Sequence, residues 1–222
     1  MSDTTPIDAL VASLCRPLGF SYCVQPIEPE ERTPPGSYFE GQEYPASASI
    51  RSPKRRREFA AGRRAAEAAL RAAPFFVDNG PVEIRRKASG APASPCPGIY
   101  LSISHSGPFA TAVAALCPVG IDIERDEPRP QSLVRYFFSI NEQSFLHRLE
   151  RRTLGSVSLL NQLWSRKEAA AKVGEWGGQL SFREMDCIGR TVRVEGRLIS
   201  LASRASDGFV AAVAYDKDFL DG

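Results

Sequence analysis

Two stretches of this chain carry nearly the same string, Ser106-Gly-Pro-Phe-Ala-Thr-Ala-Val-Ala-Ala115 and Ser206-Asp-Gly-Phe-Val-Ala-Ala-Val-Ala-Tyr215. Each is a turn leading into small apolar residues, the pattern of a buried strand. Each also has a long helical stretch upstream. The echo admits two readings. Two buried strands can arrive at the same small residues by chance. Alternatively, the chain is a duplicated α/β unit, folding as two similar halves with a cleft where they meet.

The 222 residues, 43% of them hydrophobic, are enough to bury a real core. Residues 24–50, rich in proline, glycine and glutamate, read as extended, loop-rich chain. Ser52 as N-cap and Pro53 at the first helical position predict a helix running to about Ala73, with Phe59, Ala66, Leu70 and Ala73 on one face and Pro74 as its stop. Residues 88–98 read as loop. Tyr100–Ser104, Phe109–Leu116, Val119–Glu124, Thr191–Glu195 and Phe209–Tyr215 read as strands, and Leu159–Val173 as a helix.

Composition excludes several classes. The formal charge is only +2, and the positive charge is local, in Arg51 with Lys54–Arg57 and in Arg85-Arg86-Lys87. A nucleic-acid binder usually shows a larger basic excess. The five cysteines include no C-x-x-C pair, which argues against a zinc site or a disulfide framework. Met1–Leu10 lacks the basic and apolar regions of a signal peptide, and no stretch has the apolar length of a membrane span. A cytoplasmic protein is expected.

Three segments carry candidate chemistry. In Gly120-Ile121-Asp122-Ile123-Glu124, a strand would turn Val119, Ile121 and Ile123 to the core and place Asp122 and Glu124 together on the other face, α-carbons roughly 6.5–7 Å apart. Oxygen ligands at that spacing suit a hard cation such as magnesium. Two acids in water beside Arg125 would read the same way. Gly120 leaves bare backbone that a ligand could approach. Glu168 and Lys172 share a helix face, as a third metal ligand or base and a phosphate partner, or as an exposed ion pair. His105, in Ser102-Ile103-Ser104-His105-Ser106-Gly107, suits a phosphate-binding turn. It also suits an idle turn, or a hydrolase, although Gly-x-Ser-x-Gly is absent. Arg55, Arg56, Arg57, Arg63 and Arg64 on one helix could grip phosphates, face solvent or meet nucleic acid; no aromatics interleave with them to stack bases.

Taken in order, these segments resemble the 4′-phosphopantetheinyl transferase superfamily, in its larger surfactin- and enterobactin-synthetase-activating type. Lys54-Arg55-Arg56-Arg57-Glu58-Phe59-Ala60-Ala61-Gly62-Arg63 looks like its Lys-Arg-Arg-x-Glu-Phe-x-x-Gly-Arg helix. Ser102–Ser106 matches its Ser-x-Ser-His-Ser turn, and Gly120–Glu124 its Gly-Ile-Asp-Ile-Glu strand. Phe138-Ser139-Ile140-Asn141-Glu142 matches Phe-Ser-x-x-Glu. Trp164–Lys172 matches Trp-x-x-Lys-Glu-Ala-x-x-Lys. Ala91 departs from the charged residue usual between Gly90 and Pro92.

The resemblance implies an α+β fold of two similar α/β halves about a pseudo-twofold, residues 1–117 and 118–222, with the active site in the cleft between them. It implies transfer of 4′-phosphopantetheine from coenzyme A to a serine of an apo acyl or peptidyl carrier protein, releasing adenosine 3′,5′-bisphosphate. Asp122, Glu124 and Glu168 would hold magnesium, or manganese, with Glu168 also the candidate base. Ser104, His105 and Lys172 would contact coenzyme A phosphates, and Arg55 and Arg63 the 3′-phosphate region, helped by Arg86 or, given the departure at Ala91, by Arg85 or Lys87. Residues 125–155 would face the carrier, with Phe137 and Phe138 meeting it and Arg148, Arg151 and Arg152 steering it. A monomer serving siderophore, polyketide or nonribosomal peptide synthesis is implied, with no nucleic-acid or membrane partner.

Overall fold

The computed structural model describes residues 5–29, 50–77, 80, 82–150, 156–176 and 180–220. The first element, helix α1 (Pro6–Cys15), starts on the Thr5 hydroxyl, which accepts from the Asp8 backbone N–H at 3.3 Å. Ile7, Leu10, Val11 and Leu14 recur at helical spacing and are all buried. Strand β1 (Ser21–Pro26) follows, so the loop expected from residue 24 begins only after Pro26. Pro26 ends an edge strand, where its missing N–H removes little. Residues 30–49, the rest of that expected loop, lie outside the described residues.

Helix α2 (Pro53–Arg71) starts where expected, with the Ser52 hydroxyl accepting from the Arg55 N–H at 3.4 Å. It ends two residues earlier than expected, ahead of Pro74. Within the expected loop 88–98, Pro92–Ala93 (β3) pairs with Arg85–Arg86 (β2) in a minimal hairpin. Strands β4 (Tyr100–Ser106) and β5 (Phe109–Ala115) complete a sheet of order β1-β5-β4, antiparallel throughout.

Strand β6 (Val119–Arg125) opens the second sheet. Helices α3 (Gln131–Phe137), α4 (Ile140–Glu150) and α5 (Ser156–Val173) follow, then β7 (Thr191–Val194), β8 (Arg197–Ser206), β9 (Phe209–Asp216) and the short α6 (Lys217–Leu220). The order is β6-β9-β8-β7, again antiparallel. Strand β8 was not expected; its second half, Ser203-Arg204-Ala205-Ser206, lacks the apolar alternation that marks strands in a sequence.

Set side by side, β1-α2-β4-β5 and β6-α5-β8-β9 are one arrangement used twice, and the repeated string falls on the same hairpin in each. Phe109 and Phe209, equivalent within that string, meet edge to face with ring centroids 5.6 Å apart, as residues beside a twofold axis do. The duplicated-unit reading therefore holds. In the two registers Ala114 pairs with Ser21 and Ala214 with Gly120. Counting along the strands, Cys23 and Gln25 occupy the places in the first half that Asp122 and Glu124 occupy in the second. The carboxylates belong to one half only. The halves also share a core: Ile7, Leu10, Leu14 and Val113 pack in one cluster with Ile121, Ile123, Ala211 and Val213. No helix among the described residues is long and apolar enough to cross a membrane.

Candidate active site

The two sheets meet along β4 and β6. One edge of β6 pairs with β9, and its other edge has donors to satisfy. Serine hydroxyls do this: the backbone N–H groups of Ile121, Ile123 and Arg125 donate to the Oγ atoms of Ser102, Ser104 and Ser106 at 3.0, 3.2 and 3.0 Å. The period-two serines of the expected phosphate turn thus form a seam between the halves. Ser104 also donates to Asp122 Oδ1 at 2.8 Å. It is buried behind the carboxylate rather than on a cavity wall. His105 points the other way along the strand and is exposed.

As expected, Val119, Ile121 and Ile123 face the core. Asp122 is only 4% exposed. Its Oδ1 accepts from Lys172 Nζ at 2.8 Å, and its buried Oδ2 has no hydrogen-bond partner among the described residues. Glu124 Oε1 accepts from Trp164 Nε1 at 3.1 Å, and Oε2 lies 2.8 Å from the Arg129 guanidinium. The reading of Gly120 as an approach for a ligand is corrected. A Cβ there would collide with the Ala169 carbonyl oxygen, so the bare backbone admits helix α5. That close crossing brings Glu168 and Lys172 over the strand.

Glu168 is half-buried and its carboxyl titrates above the usual range. Burial is the main cause; Lys172 opposes it, and the charges of Asp122 and Glu124 add to it. The three carboxylates are therefore close enough to press on one another. Among the described residues no three His, Cys, Asp or Glu side chains are already gathered around one point, and Lys172 and Arg129 stand against Asp122 and Glu124. The all-oxygen donor set and the partnerless Asp122 Oδ2 fit a hard divalent cation.

A cavity of about 800 Å³ lies between the halves. Phe59, Gly62 and Arg63 of α2 and Leu101, Ile103 and His105 of β4 form one wall. Opposite stand Tyr136 and Phe137 of α3, Trp164, Glu168 and Lys172 of α5, and residues 180–183. Of the expected site residues, Arg63, His105, Glu168 and Lys172 line it. Asp122 and Glu124 sit behind Lys172 and Trp164. The Arg63 guanidinium lies 4.8 Å over the Phe59 ring. Arg55 and Arg86 are exposed and off the wall. Across the cleft, Lys87 pairs with Glu175, which also accepts from Ser89 Oγ at 3.3 Å. That clasp was not foreseen; Glu175 lies 88 residues from Lys87.

Two residues of the recognised motifs do something their spacing did not suggest. Lys167 and Glu142 are fully buried and 2.7 Å apart. Ser139 and Glu142 cap α4 reciprocally: the Ser139 N–H donates to Glu142 Oε2 at 2.8 Å, and the Glu142 N–H to Ser139 Oγ at 3.1 Å. Glu142 Oε1 accepts from the Cys187 N–H at 2.8 Å, while Lys167 donates to the carbonyls of Phe182 and Met185. The Ser-x-x-Glu spacing could have announced the cap, but not the lysine. Phe138, expected to meet a partner, is instead fully buried with Leu146 and Leu163, whereas Phe137 is 43% exposed. Arg148 is exposed; Arg151 and Arg152 lie outside the described residues.

Comparison with known proteins bears on this arrangement. Residues 46–115 match the model of the 4′-phosphopantetheinyl transferase N-terminal domain, and residues 118–213 that of the 4′-phosphopantetheinyl transferase superfamily. The chain is 31% identical over 99 residues to 4′-phosphopantetheinyl transferase Sfp of Bacillus subtilis (strain 168), covering 44% of this chain and 43% of the relative. It is 34% identical over 132 residues to 4′-phosphopantetheinyl transferase ffp of Bacillus subtilis, covering 59% and 57%. To 4′-phosphopantetheinyl transferase psf-1 of Bacillus pumilus it is 34% identical over 77 residues, covering 35% and 32%. The match thus spans between about a third and just over half of each relative's length. With its two halves matched in order, over residues 46–115 and 118–213, the chain belongs to the 4′-phosphopantetheinyl transferase superfamily.

Proposed function

We propose that this protein transfers the 4′-phosphopantetheine group of coenzyme A to a serine hydroxyl of an apo acyl or peptidyl carrier protein, releasing adenosine 3′,5′-bisphosphate. The carrying observation is the cleft itself: a cavity of about 800 Å³ with Glu168 and Lys172 on its wall and the partnerless Asp122 oxygen behind them. It has room for an extended nucleotide substrate, and basic and acidic groups stand together at one end. The apolar side chains on the two walls, Phe59 and Ile103 facing Tyr136 and Phe137, suit adenine and the pantetheine arm.

Asp122, Glu124 and Glu168 would hold magnesium or manganese, which when bound neutralises charge on the diphosphate. The protein's own groups do the rest. Lys172 and His105 reach the diphosphate from opposite walls, and Arg63 takes the 3′-phosphate region. Arg55 and Arg86 act from the rim. Ser104 holds Asp122 from behind and supports the site indirectly. The carrier serine oxygen attacks the β-phosphorus of coenzyme A and the bond from that phosphorus to the bridging oxygen breaks. The serine proton passes to Glu168, whose raised proton affinity suits a base. Phosphoryl transfer asks mainly for this alignment and charge neutralisation. Exposed Tyr136 and Phe137 at the cleft mouth, with Arg148 nearby in sequence, would receive an acidic carrier. A cytoplasmic monomer and a division after residue 117 belong to the same reading.

The test mixes the protein with coenzyme A, magnesium and several apo carriers. Intact mass should show one phosphopantetheine added to a carrier. The proposal is falsified if no carrier gains it while a known transferase modifies the same samples.

A further inference from the structure

Both oxygens of Glu124 have partners. Trp164 holds one, and the other faces Arg129 at 2.8 Å and Ser106 at 3.4 Å. Arg129 is itself fixed. Its Nε donates to Asn161 Oδ1 at 2.8 Å. Asn161 is fully buried, and its amide donates to Asp126 Oδ1 and to the Glu127 carbonyl, both at 2.9 Å. Ser158 donates to the other oxygen of Asp126. Prolines at 128 and 130 restrict the backbone on both sides. Neither Arg129 nor Asn161 lines the cavity. Lys172, the cation on Asp122, does line it, with its ammonium also donating to the Ile121 carbonyl at 3.0 Å.

Resting on the transferase reading above, we propose that Arg129 is a positioning residue: a fixed counter-cation that holds Glu124 and weakens the binding of a bare divalent ion by the three carboxylates. An ion taking Glu124 as ligand must share that carboxylate with a guanidinium that cannot leave. The two positive charges repel, and even with water-like screening this shifts affinity by about tenfold. The diphosphate of a nucleotide substrate supplies the missing negative charge, so ion and substrate bind as a pair.

The experiment measures manganese binding to the full chain from the electron paramagnetic resonance signal of free Mn2+, with and without coenzyme A. Without coenzyme A, Arg129→Gln should bind Mn2+ about tenfold more tightly than the unaltered protein, and coenzyme A should improve its affinity less. Arg129→Lys keeps the charge but gives up the Nε bond to Asn161, so its Mn2+ affinity should lie between those of the unaltered protein and Arg129→Gln, whereas a purely structural role would weaken binding in both variants. Asn161→Ser frees the guanidinium and should tighten binding several-fold, an independent arm if Arg129→Gln does not fold. Unchanged or weaker Mn2+ binding in Arg129→Gln, or in Asn161→Ser where that is the folded variant, overturns this inference alone. Absence of Mn2+ binding in every sample, coenzyme A included, overturns the metal reading and this inference with it.

Discussion

Glu168 is held in the fold where burial and two neighbouring carboxylates work against its ionised form. Its folded-state pKa lies above its unfolded one, mainly through burial. The folded protein therefore binds this proton more tightly, and ionisation destabilises the fold as pH rises from the ordinary glutamate value, about 4.3, toward the raised one. In chelator at neutral pH, Glu168→Gln should raise Tm, because the neutral amide carries no buried charge. The gain should fade below pH about 4, where both states carry the proton. Calorimetry across pH checks this; a lower Tm at every pH would mean the carboxylate is a structural partner. Turnover should fall in the same variant. Ser104 is the contrasting case. Its type and spacing suggested a phosphate contact, but its hydroxyl is committed to Ile123 and Asp122.

At the scale of elements, two devices bring α4, α5 and the 182–187 segment together. The first is the missing side chain at Gly120, which lets α5 lie against β6. The second is the Lys167–Glu142 pair with its backbone partners. Removing one member of such a pair leaves an uncompensated buried charge. Lys167→Met should therefore cost about 3–5 kcal/mol in urea unfolding. Lys167→Met with Glu142→Gln should lose less than the two single variants summed, because the stranded charge is gone. Simple additivity would mean the two residues act separately. Strands β4, β5, β6, β7 and β9 and helix α2 were legible because alternation and capping are local. Strand β8 was not, because its second half lacks apolar alternation although both its partners are sequence neighbours; the α4–α5 ion pair was not, because Glu142 and Lys167 stand on different helices.

For the whole molecule, the two halves are alike in topology yet not separable. The main core draws on both, and the serine seam from β4 satisfies the β6 edge. Unfolding should be a single cooperative event. Both tryptophans of the chain, Trp164 and Trp176, lie in the second half. Tryptophan fluorescence thus follows that half, while far-ultraviolet circular dichroism follows both. Their urea midpoints should coincide, and midpoints clearly apart would show that the halves unfold independently.

By itself the sequence determined the strand bearing Asp122 and Glu124, the start of the arginine helix and the family motifs in their order, and it raised the duplication as one of two readings. Repetition, period-two alternation and capping are short-range regularities, so they are written in order along the chain. Tertiary structure alone decided that Cys23 and Gln25 hold, in the first half, the strand positions that Asp122 and Glu124 hold in the second. It also decided that Ser104 faces Asp122 and not the cavity, that Gly120 admits a helix, and that Arg129 holds Glu124. These are matters of which atoms meet across the β4–β6 seam and the α5 crossing, and contacts between distant segments leave no local pattern to read.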